Sequence, residues 1–254
     1  MNKINMRQAK LLVEGSTFFK EVVDTKTQDL LEHIAARAEE KGMSINAAKT
    51  GLMLVSAATS FTPRIKLKLG GETVTGQDSM KILGVTIDKD ASFKTHVANI
   101  AAKMRARTWA LTRLRKKGLS EEKLVRAYKG LIRPTIEYAS PAWHSSITAG
   151  QAADLERQQT LALRNIFGPS MSANKMRKRA GIDTLTKRRE SAVKKFAIKC
   201  TTNPRCQSWF TERPPRQYPR RSSVHYPVYR EELARTDRHR NNPKNYIVRK
   251  ANEA

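Results

Sequence analysis

Apolar residues recur at helical spacing along most of the chain and at strand spacing only in a short central stretch. Between Asp24 and Gly42, Leu30, Leu31, Ile34 and Ala38 share one face, with Asp24 or Thr27 as cap and Gly42 as stop. Met43 to Val55 reads as a turn followed by an apolar strand. Ile65, Leu67 and Leu69 then alternate with Lys66 and Lys68 ahead of Gly70-Gly71, the pattern of a hairpin. Lys81-Ile-Leu-Gly-Val-Thr-Ile-Asp88 predicts a buried strand over Ile82–Ile87, with Gly84 inside it marking a bulge or a close backbone approach.

The strongest helical pattern runs from Ser92 to Gly118. Phe93, Val97, Ile100, Met104, Leu111 and Leu114 make its apolar face, and Lys103, Arg105, Arg107, Arg113, Arg115, Lys116 and Lys117 fill much of the remainder. His96 reads as a packing or hydrogen-bonding residue rather than a ligand. Ser120 caps a second helix with Leu124, Tyr128, Leu131 and Ile132 on one face, which Pro134 kinks or breaks. Tyr138, Pro141, Ala142 and Trp143 predict an aromatic corner. Thr148 caps a third helix with Leu155, Leu161, Ala162 and Ile166 inward, closing at Gly168-Pro169. Three helices on short loops imply a small bundle. From Ser172 to Lys199 one or two more helices follow. There Met176, Ala180, Ile182, Leu185, Ala192, Phe196 and Ala197 are expected to dock, and the basic clusters, with Arg188 and Arg189, to point outward. Beyond Thr201, prolines interrupt any long element, and aromatic residues interleave with arginines. That composition suits base stacking and phosphate contact, or equally a poorly ordered basic tail.

Charge sharpens this picture because it is unevenly placed. Of the formal net +26, residues 1–60 carry +1, residues 61–171 carry +10 and residues 172–254 carry +15. A field growing toward one end suits a polyanion, most often nucleic acid. An anionic membrane surface competes, but the tail has no sustained apolar helical face and the chain no apolar run of spanning length. No signal-peptide pattern opens the sequence, so a nuclear or cytoplasmic rather than secreted protein is expected. The two cysteines, Cys200 and Cys206, form neither a disulfide framework nor, with His225 and His239, zinc-finger spacing.

Four groups of residues carry a family resemblance. They are Asn46-Ala-Ala-Lys-Thr50; Lys81 to Asp88 with Phe93 and His96; Tyr128, Leu131-Ile-Arg-Pro134, Tyr138 and Ala142-Trp143; and Thr17-Phe18-Phe19-Lys20 near the start. In this order and spacing they resemble the end of the palm, the thumb and the region beyond in the reverse transcriptases of non-LTR (LINE-type, jockey-like) retrotransposons, from about Thr17 onward. The resemblance implies a mostly helical α+β chain in three parts. These are a partial palm with a primer-grip-like hairpin (residues 1–90), a helical thumb (91–169) and a basic extension, helical and then Pro/Arg-rich (170–254).

The activity so implied is RNA-templated DNA synthesis on a primer-template, with magnesium as the family's metal. Such polymerases hold two cations on clustered aspartates. Aligned through Thr17–Lys20, the family's paired aspartates fall on Glu14 and Gly15, and the aspartate of its first palm motif would lie ahead of Met1. Gly15 offers no side-chain oxygen, and Glu14 sets its carboxylate one methylene farther out. The expectation for this chain alone is therefore no cofactor and no polymerase activity. Lys49 falls where the family's lysine attends the pyrophosphate of the incoming nucleotide; without a metal it reads as structural. Leu83, Gly84 and Val85 fall in the hairpin that holds the primer end, and the basic helix falls on the thumb. The alternative is a nucleic-acid-binding remnant without chemistry.

Overall fold

A computed structural model describes residues 16–55, 66–69, 71–212, 228–233 and 237–253. Two compact units divide after Ser92. The first holds a long helix and two short antiparallel hairpins and the second is helical, so the chain is α+β and mostly helical.

The first unit opens with α1 (Ser16–Glu39). It ends as the sequence predicts. Gly42 is left-handed at φ 69°, and the Met43 and Gly42 N–H groups return to the Ala38 and Glu39 carbonyls, a Schellman closure. The face expected to be inward is only partly covered, with Leu30 and Ile34 about half exposed. Strands β1 (Lys66–Leu69) and β2 (Glu72–Thr75) form one hairpin, with Leu67, Leu69 and Val74 buried and the flanking lysines exposed. The Gln28 side-chain amide lies along β1: its Nε2 donates to the Lys68 carbonyl at 2.9 Å and its Oε1 accepts from the Lys68 N–H at 2.8 Å. One glutamine thus satisfies an edge that would otherwise be open, and ties α1 to the sheet.

Three expectations in this unit need correction. Asp24 and Thr27, read as caps, lie inside α1, which already runs from Ser16. The apolar strand anticipated near Met43–Val55 is instead a short 3-10 turn over Ala47–Lys49 and a single parallel bridge from Leu52 to Gly76. The continuous strand Ile82–Ile87 is two strands, β3 (Ser79–Ile82) and β4 (Val85–Asp88), paired in register with Ile82 opposite Val85. Leu83 (φ 47°) and Gly84 (φ 88°) are the two residues of the turn between them. Positive φ at both positions is the signature of the type I′ hairpin, whose twist matches the strands it joins.

The second unit is a helical assembly around α2 (Lys94–Lys116) and α6 (Ala149–Phe167), which pack along each other. Val97, Ile100, Met104 and Leu111 face Leu155, Leu163 and Ile166 across a closed core. The Thr148 cap of α6 is a complete capping box, with the Gln151 N–H donating to Thr148 Oγ1 and the Thr148 N–H to Gln151 Oε1. Between them run α3 (Glu121–Ala127), a π-turn (Tyr128–Ile132), α4 (Arg133–Glu137) and α5 (Ser140–Trp143). Pro134 explains the π-turn: it has no N–H to return to the preceding turn, and the helix widens so that the Arg133 N–H reaches the Tyr128 carbonyl. The widening also turns Leu131 out to 58% exposure, where a regular helix would keep it on the buried face. Trp143 is fully buried, with its indole N–H on the Tyr138 carbonyl and His96 edge-on at 5.5 Å; Tyr138 itself stays exposed.

Helices α7 (Ala173–Ala180) and α8 (Leu185–Thr201) complete this unit, α8 packing against α4, α5 and α6. The helices of residues 93–169 and the described helix of residues 185–201 therefore share one core. Past a 3-10 turn (Pro204–Trp209) and the single turn α9 (Asp237–Arg240), α10 (Pro243–Asn252) lies on α8, with Ile247 against Val193 and Ala197. Residues 228–233 are strapped onto α10. Asn252 exchanges two hydrogen bonds with the Tyr229 backbone, and the buried Asn245 does the same with Glu232. So this part of the tail is folded, and its aromatics pack: Tyr229 meets Phe210 at 5.1 Å and Tyr246 meets His144 at 5.8 Å. Tyr218, Tyr226 and His225 lie outside the described residues.

Candidate nucleic-acid interface

Helix α2 carries seven lysines and arginines and no aspartate or glutamate. Its field is therefore not cancelled along its own length, and the basic residues of its last turn also suit the negative end of the helix dipole. The burial of Val97, Ile100, Met104 and Leu111 fixes which side faces the core. Arg105, Trp109, Arg113 and Lys117 recur every four residues on the opposite side, with Lys116 beside them, and all are exposed. Lys103 is exposed on an adjoining face. The Arg113 guanidinium lies 4.8 Å from the centre of the Trp109 ring, and Trp109 is 62% exposed. The apolar and basic patterns of the sequence pass over Trp109, although its spacing from Arg105 and Arg113 marks it.

The other basic residues of α2 expected to bind are engaged within the fold. Arg107 donates both to the Leu131 carbonyl and to Thr135 Oγ1, clamping α2 to the π-turn. Arg115 donates to the Asn165 carbonyl at 2.8 Å, in the last turn of α6, where carbonyls lack helical partners. Both keep exposed surface.

For the α8 pair the expected outward orientation is wrong. Arg188 is half-buried and forms a two-pronged pair with Glu137, Nε to one carboxylate oxygen and Nη2 to the other; that hydrogen bond raises its pKa further above the ordinary arginine value. Arg189 is completely buried. Its guanidinium lies 5.6 Å from the Trp143 ring centre, donates to His144 Nδ1 at 3.4 Å and to Thr186 Oγ1 at 3.3 Å, and is pushed down in pKa by burial. The reason is phase. Leu185, Arg189, Val193 and Ala197 form one row at spacing four, and all four are buried, whereas Phe196, expected inward, is 39% exposed. Leu161 on α6 is likewise 41% exposed, the inward position belonging to Leu163.

In the first unit, Lys49 closes the 3-10 turn with its N–H on Asn46 Oδ1 at 3.1 Å, and its side chain is exposed. Leu83 stands at the hairpin tip, 87% exposed, beside Gly84. Glu14 and Gly15 lie outside the described residues. Among the described residues no three His, Cys, Asp or Glu side chains come together as metal ligands. The donor chemistry at the aligned pair, one glutamate and one glycine, does not fit a two-magnesium centre, so no catalytic step is derived through one. Among the described residues no helix is long and apolar enough to cross a membrane.

The chain is 28% identical over 149 residues to a 115 kDa protein in the type-1 retrotransposable element R1DM of Drosophila melanogaster, covering 58% of this chain and 14% of that protein. It is 24% identical over 177 residues to a retrovirus-related Pol polyprotein from the type-1 retrotransposable element R1 4 of Nasonia vitripennis, covering 62% of this chain and 45% of that one. The chain is a homologue of LINE-type retrotransposon proteins. It spans less than half the length of either curated relative it matches. No protein-family model matches this retrotransposon homologue, and no solved structure does.

Proposed function

We propose that this retrotransposon homologue corresponds to the palm end and thumb of an RNA-directed DNA polymerase, and that its own biochemistry is sequence-independent binding of a primer-template without catalysis. The observation that carries the proposal is the face of α2: exposed basic residues at helical spacing, with no acid on the helix to neutralise them. Phosphate contacts from such a face supply affinity and orientation but no sequence preference. The Leu83-Gly84 turn supports a primer-contacting hairpin in the first unit. A left-handed conformation disfavours leucine by about 1–2 kcal/mol, and Asn or Asp with Gly is the usual I′ pair. An exposed leucine kept in that conformation is strain of the kind found at functional sites.

The absence of catalysis rests on Glu14-Gly15 standing where paired aspartates belong. Two assays on the purified chain test both halves. In fluorescence anisotropy a labelled primer-template should bind and should be displaced by unrelated sequences of equal length. In primer extension with magnesium and deoxynucleotides, no product should form. Extension of the primer would overturn the second half, and no binding at low salt the first.

A further inference from the structure

We infer that Trp109, backed by Arg113, is a stacking platform for an unpaired nucleobase. This inference rests on the nucleic-acid reading of α2 and adds a ligand-contacting residue to it. A tryptophan 62% exposed on a helix exposes apolar surface with no benefit to the fold. Here it stands in a row of cations, Arg105 one turn before and Arg113 one turn after, with Lys116 and Lys117 beyond. Arg113 lies over the ring at 4.8 Å, a cation–π contact that helps hold the indole in place while the residue keeps 62% of its surface exposed for a second flat group.

The chemistry selects the occupant. A nucleobase presents an aromatic face of any sequence, and its phosphates meet the neighbouring cations; alternating aromatic and basic contacts are how single strands are held. A base paired within a duplex is stacked on its neighbours and has no face to offer, so the ligand is an unpaired segment of RNA or DNA. Ala98, Ala102, Ala106 and Ala110 form the next row around the helix, and all four are exposed, so no bulky side chain of α2 blocks approach from that side. A lipid surface would want further large apolar residues around the tryptophan, and this face of α2 supplies alanine and charge instead.

The test uses the full chain and four single-stranded probes of equal length: oligouridylate, oligodeoxythymidylate and abasic oligomers with each sugar. Wild-type protein should bind the base-bearing strands more tightly than the abasic ones. Trp109→Ala should lose about 5- to 150-fold in affinity for the base-bearing strand, the range that aromatic–base stacking supports, and nothing for the abasic one. Trp109→Phe should retain most of the affinity. Whichever sugar shows the larger loss identifies the strand as RNA or DNA. Undiminished binding by Trp109→Ala, or equal losses on both kinds of probe, would overturn the platform while leaving the polyanion reading standing. Absence of wild-type binding to every probe would overturn both. Because Trp143 is buried, the Trp209→Phe background makes quenching of the exposed indole a direct second readout.

Discussion

The guanidinium of Arg107 donates to the backbone carbonyl of Leu131, joining a helix of seven basic and no acidic residues to the π-turn that Pro134 forces. Two residues earlier, Arg105 is exposed on the opposite side of α2, and so is Arg113. Arginines of one helix thus divide between holding the fold and facing the solvent. Arg107→Ala should lower unfolding stability by about 1.5–3 kcal/mol, the loss of charged hydrogen bonds. Arg113→Gln should change stability by less than about 0.5 kcal/mol. Urea titrations of both variants check the contrast.

Arg189 belongs with the structural group. Arg189→Ala removes a buried cation together with the partner of His144 and the cover of Trp143, and should destabilise the second unit by about 3 kcal/mol or more. Its nucleic-acid affinity, measured on the fraction that remains folded, should match wild type.

Arg188 and Glu137 should behave as a coupled pair. Both side chains are partly buried, with 31% and 25% exposure, and the contact is two-pronged. A double-mutant cycle with Arg188→Gln and Glu137→Gln should return a coupling of about 1–2 kcal/mol, above the range of exposed pairs. A coupling near zero would place the pair with ordinary surface salt bridges.

Much of the helical part was legible in the chain. The Gly42 stop, the Thr148–Gln151 capping box and the apolar row of α2 depend on neighbours within a few residues, and local chemistry decides them. What escaped depends on the far side of a contact. Ile82–Ile87 reads as one strand because Ile82, Leu83, Val85 and Ile87 are large and apolar, and only the pairing of Ile82 with Val85 shows Leu83-Gly84 to be a turn. Gln28 carries no local mark of the β1 edge it satisfies. Arg188-Arg189 reads as a basic cluster for the surface. The spacing-four row Leu185, Arg189, Val193, Ala197 is enough to place the second of them inside, but the charge of the cluster outweighs it in a reading of sequence alone.

His144 makes stability pH-dependent. Burial first, then Arg189 and Lys250, push its pKa down from 6.5 to about 4, and Tyr246 packs edge-on against it. The folded chain keeps the imidazole neutral, which lets Nδ1 accept from Arg189. Between about pH 6.5 and 4 the unfolded chain binds a proton that the folded chain does not, so this contribution is complete above the upper value and falls away as the pH drops. Urea midpoints of wild type should decline across that window more steeply than those of His144→Gln. Parallel declines would remove His144 as the cause.

Leu83→Asn should stabilise the β3–β4 hairpin by about 1 kcal/mol, since asparagine tolerates the left-handed region that leucine resists. If the leucine is kept for contact with the primer, the same variant should bind a primer-template more weakly. Amide exchange in β3 and β4 reads the first effect and anisotropy the second.

The most direct test of the account is the salt dependence of primer-template binding, for wild type and for a variant with Lys103, Arg105, Arg113, Lys116 and Lys117 all changed to Gln. Wild-type affinity should fall linearly on a log–log plot against salt, and the variant's slope should be shallower by about one for each phosphate it no longer neutralises, with its thermal unfolding unchanged. A wild-type slope near zero, or a variant with the wild-type slope, would contradict the claim that this face of α2 holds nucleic acid.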